Sequence, residues 1–370
     1  MHVHLIYFNY LNPDGEGFSI GGIQTYITNL LPVLRECGHT TTIYQRSSLP
    51  FHKEIDGTEI YGIAHQQNYN KTVARAIIDA AIPHIDMSHD LVLYGCESCI
   101  ARALPCRTIA IQHGISWDVA KHLSCSPLQY IRYYVSKCRR AWTICQRVAK
   151  VNTLVCVDNN FINWYRAVLP YPKAELKSIP NFSTVPPTRP TKSNSSLHII
   201  FARRFFIHRG TRLFAKAAQR IIADYPDVHI TIAGSGPDAD YMHKILDRYD
   251  NIQFITYDSQ DSLRLHRDMD IAVVPTTGSE GTSLSLLEAM ASGCATICTN
   301  VGGMTNIVLD GFNGIMISPA EDELYEALRT LIDQPDKRER LQQNAYDTAK
   351  YAFDIVKWKQ KWTNVLSSVK

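Results

Sequence analysis

No apolar run in the 370 residues approaches the ~18 that a membrane-crossing helix needs, so nothing in the sequence reads as a span. The opening residues Met1-His2-Val3-His4-Leu5-Ile6-Tyr7-Phe8 lack the basic leader, apolar stretch and small-residue cleavage site of a secretory signal. They read as a first strand, and the expected location is the cytosol. Net charge is small: 38 Lys plus Arg against 35 Asp plus Glu leave +3, which argues against a nucleic-acid partner and makes any basic surface local. The 17 Pro and 19 Gly fall short of the excess that marks disordered or collagen-like chains. Cys96-Glu97-Ser98-Cys99 has metal-ligand spacing with Cys106 nearby, but no second Cys/His pair follows at zinc-ribbon distance. The ten cysteines therefore read as reduced, mostly buried thiols, and no metal is expected.

What is present is a composition of 45% apolar and 20% charged residues, with length for two domains, each able to bury a core. Short β-branched runs alternate with segments of helical period, the pattern of parallel sheets with crossover helices. In the first half, strands are expected at Val3 to Phe8, Thr41 to Tyr44, Asp90 to Tyr94, Thr108 to Gln112 and Leu154 to Val157. A helix carries Ile23, Tyr26, Ile27, Leu30, Leu31 and Leu34 and closes near Gly38. From Ser183 to Ser196 the Pro-, Ser- and Thr-rich text supports neither a core strand nor a helix. A second series follows, with strands at Leu197 to Ala202, Val228 to Ala233, Ile252 to Ile255, Ile271 to Val274, Ala295 to Thr299 and Ile315 to Ile317. The expected fold is α/β, two Rossmann-like doubly wound domains: an N-terminal one over 1–185, a linker over 186–196, a C-terminal one over 197–350, and a closing helix over 351–370 that returns toward the N-terminal domain. Ligands of such sheets bind beyond the carboxyl ends of the strands.

The loop after Ile271 to Val274 runs into a helix near Ser283, so free amides and the positive helix end face that crevice: an anion site. Glu280 and Glu288 lie eight residues apart, roughly 12 Å along a helical path, enough to address opposite ends of one ligand. On spacing alone the same residues suit an N-capping cluster equally well. After the first strand of the second half, Arg204 and Arg209 stand five residues apart before a helix, where guanidinium forks suit a diphosphate and also suit solvated caps. Gly234-Ser235-Gly236-Pro237 is a turn permitting close backbone approach, without the third glycine of a dinucleotide fingerprint. In the first half, Gly21-Gly22 leads directly into a helix, and His113 sits at a strand end in Gln112-His113-Gly114; a tight turn and a structural histidine are the plainer readings of each.

Together these segments resemble the retaining GT-B glycosyltransferases of family 4, which transfer a sugar from a nucleotide-diphosphate donor. The resemblance rests on Glu280-x7-Glu288 followed by Ala289-Met290-Ala291-x-Gly293, then Val301-Gly302-Gly303 and Asp310-Gly311-x-x-Gly314. It extends to Gly21-Gly22, Gly38-His39, Gln112-His113-Gly114, Ile179-Pro180-Asn181, Arg204 to Gly210 and Gly234 to Pro237. It implies that Glu288 accepts from the ribose, that Glu280 binds donor-sugar hydroxyls, and that the amides of Thr282, Ser283, Leu284 and Ser285 face sugar and diphosphate. It further implies that Arg204 and Arg209 neutralise the diphosphate, that His113 faces the sugar from the other domain, and that Gly22 lets the first loop close over the phosphate. No cofactor or metal is implied. Base selection is expected near Gly234 to Pro237, with Gly234 and Gly236, and near Thr256 to Asp258, with Tyr257. The sequence departs from the family pattern at Arg209 (usually Lys), Arg203 (usually Gly), Phe182 (usually Gly), Asn306 (usually acidic) and Ser283 (commonly Gly).

No Asp or Glu occurs from Val119 to Val157, while Lys121, Arg132, Lys137, Arg139, Arg140, Arg147 and Lys150 gather among Tyr130, Tyr133, Tyr134 and Trp142. Such a stretch suits an anionic membrane surface beside a lipid-linked or glycan acceptor, and equally a solvated helix face. The rival functions are a sugar-nucleotide 2-epimerase, which needs acid and base carboxylates that cannot be placed in the first half, and a non-catalytic nucleotide-sugar-binding protein.

Overall fold

Uninterrupted apolar runs such as Leu91-Val-Leu-Tyr94 belong inside a parallel sheet, where both strand faces are covered. The computed structural model describes residues 1–66, 71–118, 126–169, 173–258 and 261–368, and these form two units. The first takes in Met1–His113, His122–Ile179 and Lys359–Lys370, and the second Gly114–Lys121 and Pro180–Trp358.

In chain order the first unit contains β1 (His2–Ile6), α1 (Gly22–Glu36), β2 (Thr40–Ser47), β3 (Phe51–Ile55), β4 (Thr58–Ala64), α2 (Lys71–Ala81) and β5 (Leu91–Tyr94). It continues with β6 (Arg107–Gln112), α3 (Pro127–Val148), β7 (Thr153–Cys156), α4 (Asn159–Val168) and β8 (Glu175–Ser178). The sheet order is β3-β4-β2-β1-β5-β6-β7-β8, with only β3 antiparallel to its neighbour. The β3–β4 hairpin is an addition to the expected strands. It turns on Asp56-Gly57, both at positive φ (49° and 71°), the backbone of a two-residue hairpin turn. The α1 stripe is buried from Tyr26 to Leu34, and the helix closes where His39 N–H donates to Leu34 O and Gly38 N–H to Arg35 O.

The second unit contains β9 (His198–Ala202), α5 (Thr211–Asp224), β10 (His229–Ala233), α6 (Ala239–Leu246), β11 (Ile252–Ile255), α7 (Ser262–His266) and β12 (Ile271–Val274). It continues with α8 (Leu284–Ala291), β13 (Ala295–Thr299), β14 (Ile315–Ile317), α9 (Glu321–Asp333) and α10 (Pro335–Ala352), and then α11 (Ile355–Ser368) begins. Its all-parallel sheet runs β11-β10-β9-β12-β13-β14, so strand order reverses between β9 and β12 and opens a crevice at their carboxyl ends. Ile199, Phe201, Ile230, Ile232, Ile271 and Val273 pack one face against α5 and α9.

The division at Ile179/Pro180 precedes the 186–196 stretch because that stretch is tied to the second unit. Arg189 pairs with Glu339, Lys192 donates to Ser292 O (2.8 Å), and Tyr346 donates to Pro186 O (2.7 Å). The closing helix α11 contributes to both units. Trp358 packs on Phe182 in the second (ring centroids 4.3 Å apart), and Trp362, fully buried in the first, donates from Nε1 to the Tyr26 hydroxyl (2.8 Å).

Candidate active site

The loops after β9 and β12 flank the switch point, and glycines set how closely they meet. Gly210, the N-terminal cap of α5 at φ 82°, has no room for a Cβ, which would overlap the Pro275 carbonyl. A Cβ on Gly234 would likewise overlap the Arg203 carbonyl, and one on Gly236 would lie 2.6 Å from Phe205 O. The turn after β10 thus nests on the Arg203–Phe205 backbone, held by Arg203 N–H to Ala233 O (2.9 Å) and Phe205 N–H to Ser235 O (2.8 Å). Gly234 and Gly236 therefore have a packing duty beside any ligand.

That nesting aims Arg203 inward. It is 7% exposed, and its guanidinium donates to Thr276 Oγ1 (2.8 Å) and to Glu280 Oε2 (2.6 Å). Arg209 donates to the same Glu280 oxygen, and the Thr276 hydroxyl donates to it at 3.3 Å. Burial alone would push the Glu280 carboxyl up, but Arg203 and Arg209 outweigh it and hold the group below the usual carboxylate range. Two guanidinium groups on one carboxylate leave a net positive charge at the crevice. Arg204, by contrast, is exposed and lays its guanidinium over the Phe206 ring at 4.9 Å. The structure thus brings Arg203 and Arg209, and not Arg204, to Glu280, a contact that the sequence does not predict.

Beyond Glu280 the chain enters α8. Ser283 is its N-cap in extended backbone with no side-chain capping bond, so the first-turn amides of Leu284 and Ser285 lack intrahelical acceptors. Ser283 and Ser285 hydroxyls lie 3.2 Å apart. Thr282 is fixed from the neighbouring Asn181, whose backbone N–H donates to Thr282 Oγ1 (2.8 Å) and whose Nδ2 donates to Thr282 O (2.5 Å). Phe182, at a position where glycine is usual, spends its ring on Trp358. Gly303 N–H donates to Glu280 O (3.0 Å), and a Cβ on Gly302 or Gly303 would overlap the Glu280–Gly281 backbone. Glu288 accepts from Ser262 Oγ (2.6 Å), and burial pushes its carboxyl above the usual range. Half-buried Tyr257 keeps its proton: burial and the Glu288 carboxylate push its hydroxyl up to about 12, against a smaller opposing effect of Arg203.

In the first unit, Gly21 caps α1 in extended backbone and Gly22 opens it, while Gln24 Nε2 donates back to Asn9 O (2.8 Å). His113 follows β6 and donates from Nε2 to Gly95 O (3.0 Å), with its ring edge-on to Tyr26 at 5.2 Å. Burial lowers its pKa to about 4, so at neutral pH it is an uncharged ring whose Nδ1 is an acceptor.

Arg203, Thr276, Asn181 and Ser262 are members of this site to which the sequence alone assigns no role. For Asn181 a signal exists in Ile179-Pro180-Asn181; the others are unremarkable polar types until the fold gathers them.

Residues 188–348 match the family model described as Glycosyl transferases group 1. The chain is 24% identical over 317 residues to the phosphatidyl-myo-inositol mannosyltransferase of Mycolicibacterium smegmatis, covering 82% of this chain and 78% of that one. Its structure is similar to sucrose-phosphate synthase from Thermosynechococcus elongatus, with a TM-score of 0.79 at 13% identity over 100% of this chain and 98% of that one. It is also similar to HepE of Anabaena in complex with UDP-glucose, with a TM-score of 0.74 at 15% identity over the whole of both chains. The fold is that of GT-B glycosyltransferases, and residues 188–348 are similar to the glycosyl transferases of group 1.

Proposed function

We propose that this chain, a glycosyltransferase of the group 1 kind, is a retaining and metal-independent enzyme that moves a sugar from a nucleotide-diphosphate sugar to a glycan or lipid-linked acceptor, in the making of surface polysaccharide. The observation that carries the reading is Glu280 clamped by Arg203 and Arg209 directly ahead of the uncapped first turn of α8. Donor-sugar hydroxyls donate to Glu280, whose ionised form the arginines maintain. The diphosphate lies against the α8 amides and Arg209, with Arg204 free to swing in, and these groups stabilise the charge that grows on the leaving phosphate. Positive charge built into the protein takes the part a metal plays elsewhere. Glu288 receives the ribose hydroxyls, and Tyr257 and the Gly234–Gly236 turn border the base. The leaving phosphate oxygen takes the acceptor's proton on the same face, and no protein base is named.

The test is calorimetric titration of UDP, GDP, ADP, TDP and CMP with and without magnesium. One nucleoside diphosphate should bind without metal, and Glu288→Ala should weaken it about tenfold or more, a loss of roughly 1.4 kcal/mol. Unchanged affinity in that variant overturns the ribose assignment.

The exposed part of α3 supports acceptor delivery at the inner face of the cytoplasmic membrane. Leu128, Ile131, Val135 and Trp142 (54% exposed) lie among Arg132, Lys137, Arg139 and Arg140, while Ile144, Cys145 and Val148 anchor the far end in the core. Lys121 lies outside the described residues. Apolar side chains beside a run of cations suit a bilayer surface of anionic lipid. The protein should co-sediment with anionic liposomes at low salt and less so as salt rises, and Trp142→Ala with Ile131→Ser should abolish it; failure of the wild type to sediment removes the membrane from the proposal.

A further inference from the structure

The first unit holds a pair of thiols that the proposed transfer does not use. β5 ends at Tyr94, Gly95 follows, and Cys96 to Cys99 forms one tight turn closed by Cys99 N–H donating to Cys96 O (3.1 Å). Three-residue spacing on such a turn brings both side chains to one side, and the two Sγ atoms lie 3.3 Å apart, unbonded. A disulfide bond is about 2.0 Å long, so closure asks the sulfurs to approach by little more than ~1 Å. The two thiols differ in access: Cys96 keeps 7% exposure, and Cys99 has none. Among the described residues no group of three or more His, Cys, Asp and Glu is placed to hold a metal ion, although Cys106 is near in sequence. Two sulfurs at this distance on one turn have the placement that thiol–disulfide exchange needs.

The pair also adjoins His113 through one peptide. Gly95 is pinned: its N–H donates to Ile6 O (2.9 Å), and a Cβ on it would lie only 3.0 Å from the Tyr7 side chain and 3.1 Å from that of Ile27. Its carbonyl carries the His113 Nε2–H bond, and that carbonyl belongs to the Gly95–Cys96 peptide plane. A torsional change at Cys96 is thus passed to the plane that orients the imidazole.

We propose that Cys96 and Cys99 are a redox-active dithiol that closes to an intramolecular disulfide in the presence of a low-molecular-weight disulfide, and that closure shifts the His113 ring through the Gly95 carbonyl. The Cys96 thiolate attacks one sulfur of the oxidant RSSR and expels RS⁻, giving a mixed disulfide. The Cys99 thiolate then attacks the Cys96 sulfur, expels the second RS⁻, and forms the internal bond. Both thiols lose their protons, the expelled thiolates take them up as two RSH, and the protein is oxidised by two electrons as RSSR is reduced by two.

The disulfide itself stands apart from the transferase reading; only an effect on transfer would rest on it. The test equilibrates the reduced, full-length protein in glutathione buffers of rising disulfide content, alkylates it, and weighs the tryptic peptide Ala76–Arg102, which holds Cys96 and Cys99 and no other cysteine. The expected result is a peptide two hydrogens lighter that dithiothreitol restores, with Cys99→Ser stopping at the mixed disulfide on Cys96. A dialkylated peptide in the most oxidising buffer, under which exposed Cys138 is glutathionylated, overturns the dithiol; so does a mixed disulfide that persists on wild-type Cys96. The coupling is read from the His113 imidazole resonance in protein with nitrogen-labelled histidine, identified by its loss in His113→Asn. It should move on oxidation of the wild type and stay in Cys99→Ser. A resonance unmoved by closure overturns the coupling.

Discussion

Arg203 occupies a position where the family resemblance expects glycine, and its guanidinium lies on the carboxylate that the proposed mechanism needs ionised. The sign of its effect follows from the balance at Glu280, where burial pushes the carboxyl up and two arginines hold it down. Removing one arginine lets that pKa rise, so protonation of Glu280 begins nearer neutrality as pH falls. Arg203→Met should move the acid limb of kcat/KM to higher pH, with Arg203→Lys between it and the wild type; an acid limb that stays in place in Arg203→Met removes the positioning role. Breaking a buried pair by taking one partner costs about 3–5 kcal/mol, and the surviving Arg209 contact puts the expected loss at the low end, about 3 kcal/mol by urea unfolding. The two glutamates are legible in the sequence only through the Glu280-x7-Glu288 pattern and what surrounds it, since their spacing alone suits an N-capping cluster equally well. Which of two adjacent arginines turns inward is not, because the answer lies in the backbone path that Gly234 and Gly236 permit, not in the arginines.

Elements are legible where the apolar run is continuous: Ile252–Ile255, Ile271–Val274, Ala295–Thr299 and Ile315–Ile317 have the bounds that their sequence suggests. The strands without such a signal are at the sheet margins. Phe51-His-Lys-Glu-Ile55 alternates between half-buried and exposed, and Glu175-Leu-Lys-Ser178 has a single apolar residue, so neither carries a buried strand's apolar signature. The Asp56-Gly57 turn is the readable sign of the hairpin. Joining of elements can be tested at two glycines with nearly the same backbone. Gly210 (φ 82°) and Gly38 (φ 78°) both sit in the left-handed region, but a Cβ at Gly38 meets nothing within 4 Å, whereas one at Gly210 overlaps Pro275 O. Gly38→Ala should cost about 1 kcal/mol, the left-handed penalty alone. Gly210→Ala adds the displacement of the loop after β12 and should cost at least about 2 kcal/mol more. Equal unfolding midpoints for the two variants would mean the loops after β9 and β12 yield to each other easily.

For the molecule as a whole, stability in acid turns on histidines buried without charge. His113 in the first unit and His266 in the second both have pKa values lowered by burial to about 4, each ring donating one N–H to a backbone carbonyl, Gly95 O and Ser262 O respectively. An unfolded chain takes up those protons near pH 6.5, the folded one only near 4, so their stabilisation is complete above pH 6.5 and drains away as pH falls through that window. Each contributes about 3 kcal/mol at full effect. Glu97 works in the opposite sense. Burial pushes its carboxyl up to about 7, so the folded state is penalised above pH 7, and the penalty is relieved as pH falls toward the ordinary glutamate value. His113 and His266 against Glu97 leave a net loss, to which Glu280 adds as its carboxylate is protonated and from which Glu288, raised by burial, subtracts. The melting temperature should therefore fall between pH 6.5 and pH 4, well before general acid denaturation. Glu97→Gln separates the contributions: without the buried charge the protein should melt higher at pH 8, and without the relief its loss of stability between pH 7 and pH 4 should be steeper than the wild type's. A variant that melts lower at pH 8 and follows the wild-type slope would show Glu97 ionised and compensated, and the acid sensitivity would then belong to the histidines alone.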